Sequence, residues 1–222
     1  MGAVAASLCR GAWSWLCSHG DRAPWLQSFA EAEICQIGRL LSACHTVAFA
    51  KTGWALNILK VVTIRPATER DRNAVWEIFH EVVSAGDTYA LDPQMSRHDA
   101  LTYWFGSNTH TYVAENDKQI VGTYILRPNQ TGAGAHVANA AFMVPARARG
   151  ERIGRAMAEH CLDEARRRGF RAMQFNFVVS TNESAIHLWK EFGFEIVGTL
   201  PGAFRHPESG YVDVYVMFRA LV

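Results

Sequence analysis

Apolar and polar positions follow different patterns on the two sides of residue 60. On the C-terminal side the pattern is regular. Val61–Arg65 alternates like a strand, and Pro66 followed by Thr68-Glu69-Arg70-Asp71 carries the chemistry of a helix start. Val75, Ile78, Phe79, Val82 and Val83 form a helical stripe that stops near Gly86. The polar stretch from Gly86 to Pro93 leads to Ser96, a suitable N-cap for a short helix through Trp104. Thr109–Glu115 and Gln119–Leu126 flank the turn residues Asn116-Asp117 and predict a hairpin. After a loop from Pro128 to Gly134, Val137–Val144 reads as a strand ended by Pro145. Arg152–Arg168 is a strong helix, with arginines in its last turn and Gly169 just beyond. Ala172–Val179 reads as a buried strand and Glu183–Glu191 as a short helix closing at Gly193. Glu195–Leu200 and Val212–Arg219 complete the set as strands. This alternation predicts an α/β sandwich around a central mixed sheet, one domain spanning 61–222.

Residues 1–60 show no sustained period, although they hold four of the seven tryptophans. Met1-Gly2 invites a myristoylation reading, but Ala6 stands where Ser or Thr is wanted. The apolar run lacks the preceding basic residues of a signal peptide. The expectation is a poorly ordered extension or a translation-start artefact. The alternative is a short helix from Leu26 to Ala43 packing on the domain or on a second subunit.

Composition narrows the classes. A chain with 49% hydrophobic and 19% charged residues is that of a soluble globular protein. Its net charge of +1 supplies no electrostatic reason for nucleic acid or an anionic membrane as partner. No run of ~18 predominantly apolar residues, the length of a membrane span, occurs. Cys9, Cys17, Cys35 and Cys44 lie in the first 60 residues and only Cys161 beyond, with no CxxC pair. Neither a metal site nor a disulfide framework is expected, and a reducing, cytoplasmic setting is the simpler reading.

The informative stretch is Val144-Pro-Ala-Arg-Ala-Arg-Gly-Glu-Arg-Ile-Gly154. A strand ends, a loop rich in arginine and glycine follows, and a helix begins. The free N–H groups of such a first turn, with the positive end of the helix dipole, suit a diphosphate. Asn182-Glu-Ser-Ala185, with Leu188-Trp189 and Gly193-Phe194, stands one strand downstream, a spacing that brings both segments to one cleft.

Together these motifs resemble the GNAT acetyltransferase superfamily over the region from Ile64 to Phe218. The resemblance implies the GNAT acyl-CoA N-acyltransferase fold, an α/β architecture whose central mixed, mostly antiparallel sheet is flanked by helices. It implies acetyl-CoA as co-substrate and a homodimer through the last strands. Main chain at Met143 and Val144 would serve the pantetheine arm. Arg149, Gly150, Arg152, Ile153, Gly154 and Arg155 would surround the diphosphate, and Asn182 would lie near the thiol end. Two positions depart from the family pattern. Arg152 replaces the first glycine of the loop, and Trp189 replaces a tyrosine that would protonate the leaving thiolate. Tyr211, Tyr215 or water would then supply the proton.

Asn139 and Asn176 sit in otherwise apolar strands, where a buried amide without partners costs ~1–3 kcal/mol. Either backbone satisfies both where the strands splay, or they face the cleft and hold the substrate. Related enzymes of the phosphinothricin type often carry a catalytic Glu at the position of Asn139. The segments Gly122-Thr-Tyr, Arg127-Pro-Asn129, Asn139-Ala, Arg149-Gly and Phe175-Asn-Phe-Val-Val-Ser-Thr-Asn182 are similar to the fungal azetidine-2-carboxylate acetyltransferases and their bacterial relatives. That similarity implies a small amino or imino acid substrate, with Asn139, Asn176 and Tyr211 as candidate catalytic residues. Tyr89 and Asp92 belong to the expected lid, Gly86 to Gln94, although loop solvation explains them as well. Arg205 is a candidate for a substrate carboxylate. His136 and His206 are weaker candidates for proton relay, and Cys161 reads as core. The expected reaction is direct attack by a neutral amine, without an acyl-enzyme. A protein acetyltransferase and a CoA-binding regulator without catalysis are the rivals. A nucleotide-binding module is disfavoured, because no lysine-serine/threonine pair follows the loop.

Overall fold

A seven-stranded sheet organises the residues that the computed structural model describes, 62–222. They belong to one compact unit, Leu59–Val222. The extension of residues 1–60, the alternative helix from Leu26 to Ala43, and Cys9, Cys17, Cys35 and Cys44 lie outside the described residues.

The strands are β1 (Thr63–Pro66), β2 (His110–Asn116), β3 (Gln119–Pro128), β4 (Val137–Met143), β5 (Ala172–Val179), β6 (Glu195–His206) and β7 (Gly210–Ala220). Their order across the sheet is β1-β2-β3-β4-β5-β7-β6. Every neighbouring pair is antiparallel except β4 and β5. The helices are α1 (Arg72–Ser84), α2 (Arg97–Trp104), α3 (Ile153–Arg167) and α4 (Glu183–Glu191).

Alternation along the strands sorts the core into two layers. On one face Val75, Ile78, Phe79, Val82 and Val83 of α1 join Trp104 of α2 against Val113, Ile125 and Met143. On the other, Ile153, Met157, Cys161 and Leu162 of α3 and Trp189 of α4 pack with Tyr124, Leu126, Ala138, Ala140 and Phe175. The buried Trp104 indole is satisfied, donating to Thr123 Oγ1 at 3.0 Å. Ser96 caps α2 as expected, its Oγ accepting from the Asp99 N–H at 3.1 Å. Among the described residues no helix is long and apolar enough to cross a membrane.

Two boundaries differ from the sequence reading. The last hairpin is longer than Glu195–Leu200 and Val212–Arg219, because β6 continues past Pro201 through a register shift between Leu200 and Phe204. Gly202 holds φ +59° there, and its N–H donates to Asp213 Oδ1 at 2.9 Å. A proline on an edge strand at a bulge reads locally as a stop. The long helix begins at Ile153, since Arg152 is left-handed with φ 61° and ψ 15°.

Two buried carboxylates tie elements together. Asp71 accepts both arms of Arg65 at 2.8 and 2.9 Å and the Thr68 N–H at 2.7 Å. The Arg65 guanidinium holds its pKa down at about 2. Glu164 on α3 accepts from Arg167, Arg168 and the Tyr112 hydroxyl of β2, and Arg167 foremost lowers it to about 2.

Candidate active site

The site is built where two parallel strands part. β4 and β5 pair only at Val137↔Ala172 and Ala138↔Met173. Beyond that point the Asn139 side chain takes the place of a rung, Nδ2 donating to the Gln174 carbonyl at 2.9 Å. On the β7 side, β5 bulges between Phe175 and Val178, which leaves Asn176 and Phe177 out of the ladder. A bulge bends its strand and supports the divergence.

The direction of the free main chain follows from two bonds. The Val137 carbonyl accepts from Asn129 N–H on the β3 side, and the His136 carbonyl accepts from Arg171 N–H on the β5 side. Alternation then turns the main-chain groups of Ala140, Phe142 and Val144 toward the splay. Met143 pairs with Thr123 of β3 and its side chain is fully buried, so its main chain does not line the splay as expected. Phe142 takes that place. Its N–H donates to the Tyr89 hydroxyl at 3.0 Å, and the hydroxyl donates to its carbonyl at 2.7 Å. The segment expected as a lid therefore reaches the splay through Tyr89, whose pKa burial pushes well above the usual range. Asp92 caps a turn within the same segment, accepting from Gln94 N–H at 2.8 Å.

The loop after β4 is the candidate anion site. Gly150 has φ +83°, and a Cβ there would meet nothing within 4 Å. The first main-chain bond of α3 runs from Ala156 N–H to the Arg152 carbonyl at 3.0 Å. The N–H groups of Gly150, Ile153 and Gly154 have no partner among the described residues. Ile153 and Gly154 open α3, at the positive end of its dipole. Arg152 retains the left-handed backbone suited to glycine, at a cost of ~1–2 kcal/mol for a residue with a Cβ. Arg149 and Arg152 are exposed beside the loop. Arg155 turns away, pairing with Glu191 of α4 and lying 5.3 Å from the Phe192 ring centre. Sequence reasoning missed Glu81 of α1, which accepts from Ala146 N–H at 2.6 Å and pairs with Arg147 at 3.3 Å. It anchors the loop from an element distant in sequence, and nothing in the local pattern announces it.

Across the splay, Asn182 caps α4, its Oδ1 accepting from Ala185 N–H at 3.2 Å. Trp189 is buried between Phe142 and Phe175, with ring centres 5.0 and 4.5 Å away. The other amides form a chain. Gln174 Nε2 donates to Asn176 Oδ1 at 2.8 Å, and Asn176 Nδ2 donates to Asn129 Oδ1 at 2.6 Å. Asn139 is half-buried, but Asn176 is exposed, because the bulge lifts it out of the ladder. Tyr211 is 77% exposed near the tip of the last hairpin, opposite Arg205. Tyr215 pairs with Val178 directly after the bulge, nearer the splay in register. His206 serves its own turn, accepting from Glu208 and Ser209 N–H groups at 3.2 and 3.1 Å, and His136 bonds Ala133 O at 3.0 Å. Cys161 is buried, which pushes its thiol pKa up and removes it as a nucleophile.

A sheet parted beside a helix N-terminus defines a class of enzymes, and comparison with known proteins agrees. The model of the acetyltransferase (GNAT) family matches residues 73–194. N-acetyltransferase aca1 of Schizosaccharomyces pombe is 28% identical over 180 residues, covering 73% of this chain and 86% of that one. A GCN5-related N-acetyltransferase from Kribbella flavida is 45% identical, with a TM-score of 0.69 over 72% of this chain and 97% of that one. A phosphinothricin acetyltransferase from Sinorhizobium meliloti, solved with AcCoA, shares the fold at 21% identity and a TM-score of 0.65, over 72% of this chain and 88% of that one. The chain belongs to the acetyltransferase (GNAT) family. It is an N-acetyltransferase that uses acetyl-CoA.

Proposed function

We propose that this enzyme moves the acetyl group of acetyl-CoA directly to the amine of a small amino or imino acid. The observation that carries the reading is the amide cluster of Asn139, Gln174, Asn176 and Asn129 at the mouth of the splay, whose hydrogen bonds among the described residues involve no carboxylate. Such a site suits a substrate that arrives with a neutral amine or loses its proton to water. Similarity to the azetidine-2-carboxylate acetyltransferases in the Arg127-Pro-Asn129 and Phe175–Asn182 segments points the same way.

Each residue has a role in this reading. The N–H groups of Gly150, Ile153 and Gly154, supported by Arg149 and Arg152, hold the diphosphate. The splay-facing main chain of Val144 receives the pantetheine arm. The Phe142 N–H stabilises the oxyanion once the Tyr89 hydroxyl has moved aside, and Asn182 sits near the thiol end. Asn139 and Asn176 orient the acceptor. Tyr215 or water, rather than the exposed Tyr211, returns the proton to the thiolate. Alignment of amine and thioester supplies much of the rate.

Thiol release from acetyl-CoA tests the reading, using the full chain and a panel of azetidine-2-carboxylate, proline, other amino acids, phosphinothricin, polyamines and a lysine peptide. Turnover restricted to small amino or imino acids is expected. Turnover of the lysine peptide alone would overturn the choice of acceptor.

A further inference from the structure

Arg127 is a cation without a counter-ion among the described residues. Its guanidinium lies 4.9 Å from the Tyr103 ring centre, and one arm donates to the Tyr103 hydroxyl at 3.0 Å. No carboxylate pairs with it among the described residues. Arg65, Arg155, Arg167 and Arg168 each have one. A guanidinium carries five N–H donors, and the contacts to Tyr103 use one of them. Arg127 is also half-buried, so solvent meets the remaining demand only in part.

Its place in the sheet says what the free donors face. Arg127 and Asn139 are cross-strand partners of β3 and β4. Alternation puts both on the face that carries Ile125 and Met143. Gln174 lies on that same face of β5, opposite Met173 and Phe175, which point into the other layer. Asn176 and Asn129 join Gln174 by hydrogen bonds. The packing of α1 and α2 involves β2, β3 and β4, and on β5 Gln174 is half-buried and Asn176 exposed among the described residues. One planar cation therefore stands among four amides beside the splay. The sheet supplies no anion to it.

We propose that Arg127 binds the carboxylate of the acetyl acceptor and so makes the enzyme selective for amino or imino acids over amines that lack an acid group. The inference rests on the acetyl-acceptor reading above and names the group that enforces it. The planar fork offers two parallel N–H donors to a carboxylate, while the Tyr103 ring and hydroxyl hold its plane. The amides of Asn139 and Asn176 then meet the rest of a small acceptor.

The test compares an accepted amino acid with its carboxamide and its decarboxylated amine, in the wild type, Arg127→Gln and Arg127→Lys. Wild-type kcat/KM should favour the free acid by roughly 10- to 100-fold, the range of charge-assisted hydrogen bonds. In Arg127→Gln that ratio should collapse toward one through a rise in the acid's KM. Arg127→Lys, a point charge without the fork, should lie between. Acetyl-CoA binding and melting temperature monitor the fold of each variant. Equal turnover of acid and carboxamide by the wild type would overturn the assignment of Arg127 alone, as would a loss in Arg127→Gln that is equal for both. Failure to acetylate any amine despite acetyl-CoA binding would overturn the acceptor reading, and this assignment with it.

Discussion

The Tyr89 hydroxyl holds both main-chain groups of Phe142, donating to the carbonyl at 2.7 Å and accepting from the N–H at 3.0 Å. Those groups face the splay, and Tyr89 comes from the segment joining α1 and α2. On the proposed reading, opening of that segment as a lid exposes the β4 edge in the same step. Tyr89→Phe keeps the ring and removes the competitor for the rung. It should bind acetyl-CoA more tightly, by roughly fivefold for the loss of displaced hydrogen bonds. Calorimetric titration with acetyl-CoA measures this, and an affinity weaker than wild type would count against the lid.

Arg152 is a natural point of strain. Glycine adopts its left-handed backbone freely, so Arg152→Gly should stabilise the fold by ~1 kcal/mol and raise Tm by about 2–4 °C. If main-chain N–H groups dominate diphosphate binding, the KM for acetyl-CoA should rise less than about threefold, since the exposed guanidinium is screened. A melting scan and a cofactor titration on one preparation separate the two effects.

Asn139→Ala should cost on two counts. It leaves the Gln174 carbonyl without its donor, worth about 1–2 kcal/mol in thermal unfolding. It also removes a substrate-orienting amide, and kcat/KM for the amine should fall by about tenfold or more while the KM for acetyl-CoA stays within about twofold. Equal losses for both substrates would mean that Asn139 only holds the strands.

Acid should unfold the domain in two stages. Burial foremost lowers the pKa values of His110 and His160, so the unfolded chain binds protons that the folded chain refuses. Stability from this source is present above the ordinary histidine value of about 6.5 and falls as pH drops below it. Asp71 and Glu164, both lowered to about 2, hold stability present above pH ~4.5 and lost as pH approaches 2. Melting temperatures between pH 8 and 3 should fall in these two windows. In Glu164→Gln the lower step should shrink and the upper one deepen, because the Glu164 charge raises the pKa of both histidines.

Local elements were legible in the sequence because each is written in short-range chemistry. The stripe Val75 to Val83, the Ser96 cap, the strand Ala172–Val179 and the helix Glu183–Glu191 coincide with the structure. The loop from Arg149 to Gly154 was legible because a strand end, glycine and a helix start are adjacent in the chain. Its left-handed residue was not, since arginine gives no sign of positive φ. The extension of the last hairpin was hidden by Pro201, which only a bulge on an edge strand accommodates.

The sequence by itself determined which elements form and in what order, and where a strand end, a glycine and a helix start adjoin as the candidate anion loop, since each depends on neighbours a few residues apart. Tertiary structure alone decided which main-chain groups are free. Whether Met143 or Phe142 faces the splay is a matter of strand parity against β3, and a one-residue change in register reverses it. Tyr89 on Phe142, Glu81 under the loop and Arg127 beside Asn139 are contacts between segments 53, 65 and 12 residues apart. No local period encodes such pairs. They arise because packing α1 and α2 on one face, and parting β4 from β5, sets those side chains along β4 and the loop after it.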